Sequence, residues 1–328
     1  MTAPAPLRFL DAYLAPLQGF LDRREVTDLF INRPGELWVE TVGGATEQHA
    51  VPELDEESLW RLARQVAGLA HQGINREYPL LAATLPDGAR VQIVAPPATR
   101  TGFAIAIRKH VVPDLTLADY LADGAFEAAD FALGCRQRPA LAAPIDDSPA
   151  ALAAYLGDLV RNRRNILISG GTSTGKTTFL NALIKEIPPQ ERLLLIEDTA
   201  EVVIPVANSV ALLAVKGALG EARITADDLL QAALRMRPDR IILGEVRGSE
   251  ALTFLRAINT GHPGSLTTIH ADSPAGAIEQ LALIALQAGT RLTRNDIVAY
   301  VTDTIDAIVQ LERKDGRRRI AQVLLTRS

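Results

Sequence analysis

Residues 165–177 read Asn-Ile-Leu-Ile-Ser-Gly-Gly-Thr-Ser-Thr-Gly-Lys-Thr. The first five form an apolar run suited to a strand, and the last eight match G-x-x-x-x-G-K-[S/T]. A helix-like run from Thr178 to Lys185 follows and stops at Pro188-Pro189. Strand, glycine-rich loop and helix, in that order, are the context this motif requires. Gly170, Gly171 and Gly175 let the backbone turn sharply, so that the N–H groups of a loop containing Thr172, Ser173 and Thr174 face phosphate oxygens. Lys176 can reach β- and γ-phosphates, and the Thr177 hydroxyl suits a Mg²⁺ ligand. The helix entered through Thr177 and Thr178 adds its positive end. The loop predicts a nucleoside triphosphate, with Mg²⁺, as ligand. It does not say what the nucleotide drives.

The chain has 328 residues, 48% of them hydrophobic and 22% charged, a globular balance with room for two domains. A net charge of −5 gives no strong nucleic-acid signal. One cysteine, Cys135, excludes an internal disulfide and a cysteine-rich zinc module, and reads as a small structural residue. No run approaches the ~18 apolar residues of a membrane span. The first 22 residues lack an early basic region and carry Asp11, so they do not read as a secretion signal. Leu10, Tyr13, Leu14, Leu17 and Leu21 repeat at helical spacing. That helix packs on its own domain or, less in keeping with Pro16 and few basic residues, lies on a membrane surface. A reducing, cytoplasmic setting is expected.

Working toward the N-terminus, residues 26–109 read as a compact α+β unit. Strands are expected at Val26–Ile31, Leu37–Glu40, Ala89–Val94 and Phe103–Arg108, with a helix from Asp55 to about Leu69. Residues 111–150, rich in Ala, Asp and Pro, read as a linker with short helices. The expected division is therefore 1–110, 111–150 and 151–328. A helix from about Pro149 to Arg163 leads into the last part. Strands then alternate with helices: strands at 165–169, 192–197, 210–214, 240–243 and 265–269, helices at 176–186, 225–235, 249–259 and 274–287. This alternation predicts a mostly parallel sheet covered by helices, an α/β fold. Ala307–Glu312 and Arg319–Leu325 bracket Asp315-Gly316 as a hairpin.

Ligands bind at the carboxyl ends of such strands, so acids there are candidates for the metal and the attacking water. Leu193–Ile196 runs into Glu197-Asp198, with Glu201 close behind. Arg240–Leu243 runs into Gly244-Glu245-Val246-Arg247, where Gly244 allows close approach. His262 and His270 flank a Gly/Pro turn and a strand, and a phosphate- or water-sensing role is expected for both. His49, His71 and His110 have no such context.

Together these pieces resemble the secretion ATPases that serve type IV secretion, conjugation, type II secretion and type IV pili. The likeness extends over most of the chain and is densest across 165–287. Ile-Glu-Asp-Thr-Ala-Glu (196–201) resembles that family's acidic box, and residues 235–251 its Walker B region, with Glu245 as the catalytic carboxylate. Residues 260–274 resemble its His box. The wording is closest to the traffic ATPases of type IV secretion and conjugative transfer. The resemblance implies a RecA-like P-loop domain, a smaller α+β N-terminal domain, ATP and Mg²⁺. It also implies a homohexamer peripheral to the cytoplasmic face of the inner membrane, working with other parts of a secretion apparatus. In such proteins arginines of the first domain reach the phosphates; the matching positions are Arg90 and Arg108. One departure stands out: Leu243-Gly244 replaces the usual Walker B acid, leaving Mg²⁺ mainly to Thr177 and water.

Three other readings remain open at this level: a pilus or type II motor, a nucleotide-gated scaffold with negligible turnover, and a DNA-binding module. The last is suggested only by the basic runs 161–164 and 314–319, of a kind that is usually a solvated face.

Overall fold

In a computed structural model, residues 5–109, 148–215, 223–314 and 317–326 are described. The expected linker lies almost wholly outside them, as do Cys135, His110 and the Asp315-Gly316 turn.

The first sheet is antiparallel. It holds β1 (Val26–Ile31), β2 (Glu36–Thr41), β3 (Thr46–Ala50), β4 (Leu80–Thr84), β5 (Arg90–Val94) and β6 (Ala104–Arg108), in the order β3-β2-β1-β6-β5-β4. Strand side chains alternate between faces, and this sheet uses both. Leu29, Ile31, Val91, Ile93, Ile105 and Ile107 join a core closed by α1 (Ala5–Leu21) and α2 (Glu56–Leu69). Their neighbours Phe30, Trp38, Val94, Ala104 and Ala106 join the core of the rest of the chain. The sheet is therefore a middle layer. The small side chains of Ala104 and Ala106 suit close approach on that second face. Leu10, Leu14, Leu17 and Leu21 are buried in the first core, so α1 packs on its own sheet. Among the described residues no helix is long and apolar enough to cross a membrane.

The second sheet holds β7 (Ile166–Gly170), β8 (Leu193–Glu197), β9 (Ser209–Leu213), β10 (Arg240–Leu243), β11 (Leu266–Ile269), β12 (Ala307–Lys314) and β13 (Arg317–Leu325). Its order is β13-β12-β7-β11-β10-β8-β9. Every pairing from β12 to β9 is parallel, and only the edge strand β13 is antiparallel. On one face, Ile166, Ile168, Leu193 and Leu195 pack with residues of α3 (Pro149–Arg161) and α4 (Lys176–Ile184). On the other, Leu167, Ile196, Ile241 and Leu243 pack with α5 (Ala226–Ala233), α6 (Glu250–Asn259), α7 (Pro274–Leu286) and α8 (Arg294–Thr304). Apolar burial on both faces explains why these strands read as near-continuous aliphatic runs.

Three elements escape the sequence reading. β3 is a polar edge strand, β4 is alanine-rich, and α8 is announced only by a capping box of Thr293 with Asp296. The basic run at 161–164 is occupied internally: Arg161 pairs with Asp158, Arg163 lies 3.4 Å from Glu191, and Arg164 lies 3.7 Å from Asp306.

The two sheets meet through a buried polar knot. Arg192 donates to Asn32 Oδ1 (2.8 Å), Asn208 Oδ1 (2.5 Å) and the Met236 carbonyl (3.0 Å), with its guanidinium 3.8 Å from the Phe30 ring centre. Arg237 adds an ion pair to Glu40 at 3.0 Å.

Candidate nucleotide site

The carboxyl ends of β7, β8, β10 and β11 lie side by side, because all four strands run parallel. β7 ends at Gly170 and the loop turns into α4, with Gly175 in the left-handed region at φ 91°. A side chain there would be strained. Thr174 folds back, its hydroxyl donating to the Gly171 carbonyl at 2.9 Å, while Thr172, Ser173 and Thr178 face outward. Lys176 is buried. Its ammonium donates to the carbonyls of Gly170 (2.9 Å) and Gly171 (3.1 Å) and to His270 Nδ1 (3.2 Å). Desolvation pushes its pKa down, against the attraction of nearby Glu245.

His270 links this lysine to Glu245: its Nε2 lies 2.8 Å from Glu245 Oε1. An ammonium has no lone pair, so Nδ1 must accept from Lys176. The proton of a neutral imidazole is then on Nε2, a tautomer assigned from this bonding pattern. Nε2 is close to Glu245 Oε1 but not aligned with it, and that oxygen takes no hydrogen bond among the described residues. Glu245 also pairs with Arg247, which lies 3.5 Å from Asp198.

On the other side of Lys176, the Thr177 hydroxyl donates to Glu201 Oε2 at 3.2 Å. Glu201 stands on the turn after β8, and Glu197 builds that turn. Glu197 is buried, and its Oε1 accepts the backbone N–H groups of Glu201 (3.1 Å) and Val202 (2.8 Å). Gly244 makes room for it: a Cβ at 244 would lie 3.0 Å from Glu197 Cγ. Thr177, Glu197, Asp198, Glu201, Gly244, Glu245 and Arg247 thus line one cleft.

The expected residues Gly170, Gly171, Lys176, Thr177, Glu197, Glu201, Glu245 and His270 come together here. Three others do not. His262 precedes β11 whereas His270 follows it, which puts the two at opposite ends of the strand. His262 Nδ1 donates to the Pro238 carbonyl at 2.9 Å, and burial pushes its pKa down. Arg90 and Arg108 stand opposite each other in the β5–β6 pairing. They line a separate cavity of about 340 Å³ with Gln92, Arg235 and Arg237. The antiparallel register carries both to that end of the first sheet. Sequence reasoning missed Arg100, whose guanidinium pairs with Glu197, and gave no role to Arg247. Arg247 lay within a quoted motif. Arg100 sits in a Pro-Pro-Ala-Thr-Arg-Thr-Gly connection with no chemical signal of its own.

A family model described as type II/IV secretion system protein matches residues 12–321. The chain belongs to that family. It is 36% identical over 324 residues to the type IV secretion system protein VirB11 of Bartonella quintana, covering 94% of this chain and 91% of that protein. It is 38% identical over 331 residues to the PtlH homolog of Bordetella bronchiseptica, also a type IV secretion system protein, covering 98% and 96%. Among solved structures it resembles the VirB11 ATPase of the Brucella suis type IV secretion system in complex with sulphate. There the TM-score is 0.85 at 34% identity, over 98% of this chain and 95% of the other. The type II/IV secretion membership agrees with the resemblance read from the acidic, Walker B and His boxes. It makes this a chain of the secretion-ATPase kind, with its cleft at the parallel strand ends.

Proposed function

We propose that this protein is a Mg²⁺-dependent ATPase that powers type IV secretion or conjugative transfer. The observation that supports this most is the Lys176–His270–Glu245 chain, with Thr177 and Glu201 alongside. On this reading the second sheet, with residues 151–328, is a RecA-like domain and residues 1–110 are the N-terminal domain.

The residues fit a magnesium ion. Among the described residues no cluster of His, Cys, Asp and Glu could form a protein cage. Mg²⁺ bound through a hydroxyl, one carboxylate and nucleotide phosphates needs none. Thr177, with Glu201 beside it, would hold the ion, which when bound neutralises charge on the β- and γ-phosphates. Lys176 would leave its backbone carbonyls for those phosphates. Glu245 would orient and deprotonate the attacking water, and His270 would keep the carboxylate in place. Arg247, paired with both Glu245 and Asp198, would help fix the two acids' separation.

Arg90 and Arg108 line a cavity apart from the cleft, so on this reading they serve the nucleotide of an adjacent copy in a homohexamer. Nucleotide binding closes the two domains and hydrolysis reopens them. That cycle drives pilus assembly or substrate transfer with partner components, peripheral to the cytoplasmic face of the inner membrane.

Phosphate release by the wild type and by Glu245→Gln tests the reading. Removing a general base should lower turnover by about 10²- to 10⁴-fold, with ATP binding retained. Equal, near-zero rates for both would sink the motor and favour a nucleotide-gated scaffold.

A further inference from the structure

The first sheet reaches the cleft through a contact that the ATPase reading does not use. The loop between β5 and β6 lies along β9, the edge strand of the second sheet. Arg100 N–H donates to the Ala211 carbonyl at 3.1 Å, Leu213 N–H donates to the Ala98 carbonyl at 3.0 Å, and Thr99 bridges Leu212. This backbone anchoring fixes where the Arg100 side chain starts. Its guanidinium donates to the Val202 carbonyl at 3.0 Å and to Glu197 Oε2.

Those two acceptors close a ring. Glu197 holds the N–H groups of Glu201 and Val202 with its other oxygen, and Arg100 holds Glu197 and the Val202 carbonyl. The turn 198–202 is thus gripped at both ends. It carries Glu201 to the Thr177 hydroxyl and Asp198 to Arg247. Glu197 itself has little freedom, being buried and pressed on Gly244.

We propose that Arg100 is a positioning residue that makes the placement of Glu201 beside Thr177 depend on the seating of the first sheet against the second. Arg100 touches no reacting atom; it acts through Glu197 and the turn. The inference rests on the ATPase reading for its catalytic consequence, but not for its structural one. When the first sheet shifts, the cation leaves Glu197 and the turn loses its grip. Mg²⁺ binding then weakens while the P-loop stays intact.

The test uses the full chain as wild type, Arg100→Ala, Arg100→Lys and Asn32→Ala. Asn32→Ala weakens the same junction through the Arg192 knot without touching the turn. Amide hydrogen exchange at Glu201 and Val202 reads the grip directly. Arg100→Ala should speed it by at least about tenfold, the size expected when a charge-assisted hydrogen bond is lost, while Leu194–Ile196 stay protected. In hydrolysis assays, Arg100→Ala should raise the Mg²⁺ concentration for half-maximal rate by about tenfold. ATP affinity measured without Mg²⁺ should not change. Arg100→Lys should recover part of both effects, since one ammonium can donate to Glu197 and Val202. Unchanged exchange at 201–202 in Arg100→Ala would overturn the proposal. So would an Asn32→Ala variant in which the Leu213 amide, bonded to the Ala98 carbonyl, exchanges faster while the amides of Glu201 and Val202 do not. A wild type without hydrolysis would sink the ATPase reading instead, leaving the exchange result to decide the role of Arg100.

Discussion

Glu191→Leu should destabilise the second sheet severely while sparing chemistry. Arg240 opens β10 and is fully buried. Its Nε donates to Glu191 Oε2 at 2.5 Å and one terminal nitrogen to Oε1 at 2.9 Å, a two-pronged pair. The other terminal nitrogen donates to the carbonyls of Val160 (2.6 Å) and Gly264 (3.3 Å). Removing one partner of a buried pair leaves an uncompensated charge and costs about 3–5 kcal/mol. Half-exposed Arg163, 3.4 Å from the same carboxylate, adds little to that sum. With an m-value of about 2 kcal/mol per molar, the urea midpoint should fall by about 2 M, followed by circular dichroism. Adding Arg240→Met removes the stranded charge and should recover most of the loss. The Gly264 carbonyl loses its donor, and Val160 keeps only its bond from the Arg163 N–H at 3.0 Å, so the double variant stays about 1 kcal/mol below wild type. Glu245 lies five residues further along, about 16 Å at strand rise, so turnover of folded Glu191→Leu should change less than about threefold. A single variant that melts with the wild type, or a double variant no better than the single, would refute this account.

Two further outcomes follow from the cleft and the far edge. Lys176→Ala should abolish both hydrolysis and ATP-driven domain closure; small-angle scattering that still showed ATP-induced compaction would separate closure from the P-loop. His262 is buried with its pKa below the ordinary value. Below about pH 6.5 the unfolded chain takes up a proton that the folded chain refuses, so stability falls as pH drops through that value and the effect vanishes above it. Melting at about pH 7.5 and about pH 5.5 should therefore show a smaller acid penalty in His262→Asn, which keeps a donor for the Pro238 carbonyl. An unchanged pH slope would mean that His262 is not the group responsible.

What could be read from the chain depended on how local each signal is. The strand, loop and helix at 165–184 are encoded within twenty residues, and their chemistry follows from residue type. Glu197, Glu201, Glu245 and His270 were legible because parallel strands put every carboxyl end on one edge. His262 was grouped with His270 only because the two flank one turn and strand; it sits at the start of β11, and chain order in a parallel sheet already puts that turn on the opposite edge. β3 escaped because a polar edge strand lacks the apolar alternation that marks a half-buried one. The double burial of β1 was present as Leu29-Phe30-Ile31, but nothing in a short apolar run says that the second face meets a distant part of the chain. Arg100 was illegible in principle, since its role exists only once β9 lies against the β5–β6 loop.

That last contact joins two physical needs. β9 ends the parallel sheet, and an exposed edge presents unpaired backbone groups that invite association. The Ala98–Arg100 backbone satisfies part of that edge by pairing with Ala211 and Leu213. Once the loop is fixed there, its next side chain falls beside the end of β8, one strand inward, where a buried carboxylate must be compensated. Covering the edge and neutralising Glu197 are therefore one structural event. A motion that uncovers the edge must also strip the acid of its cation. On the proposed reading, movement of the first sheet and the placement of Glu201 then share a cause within a single chain, without a relay of intermediate residues.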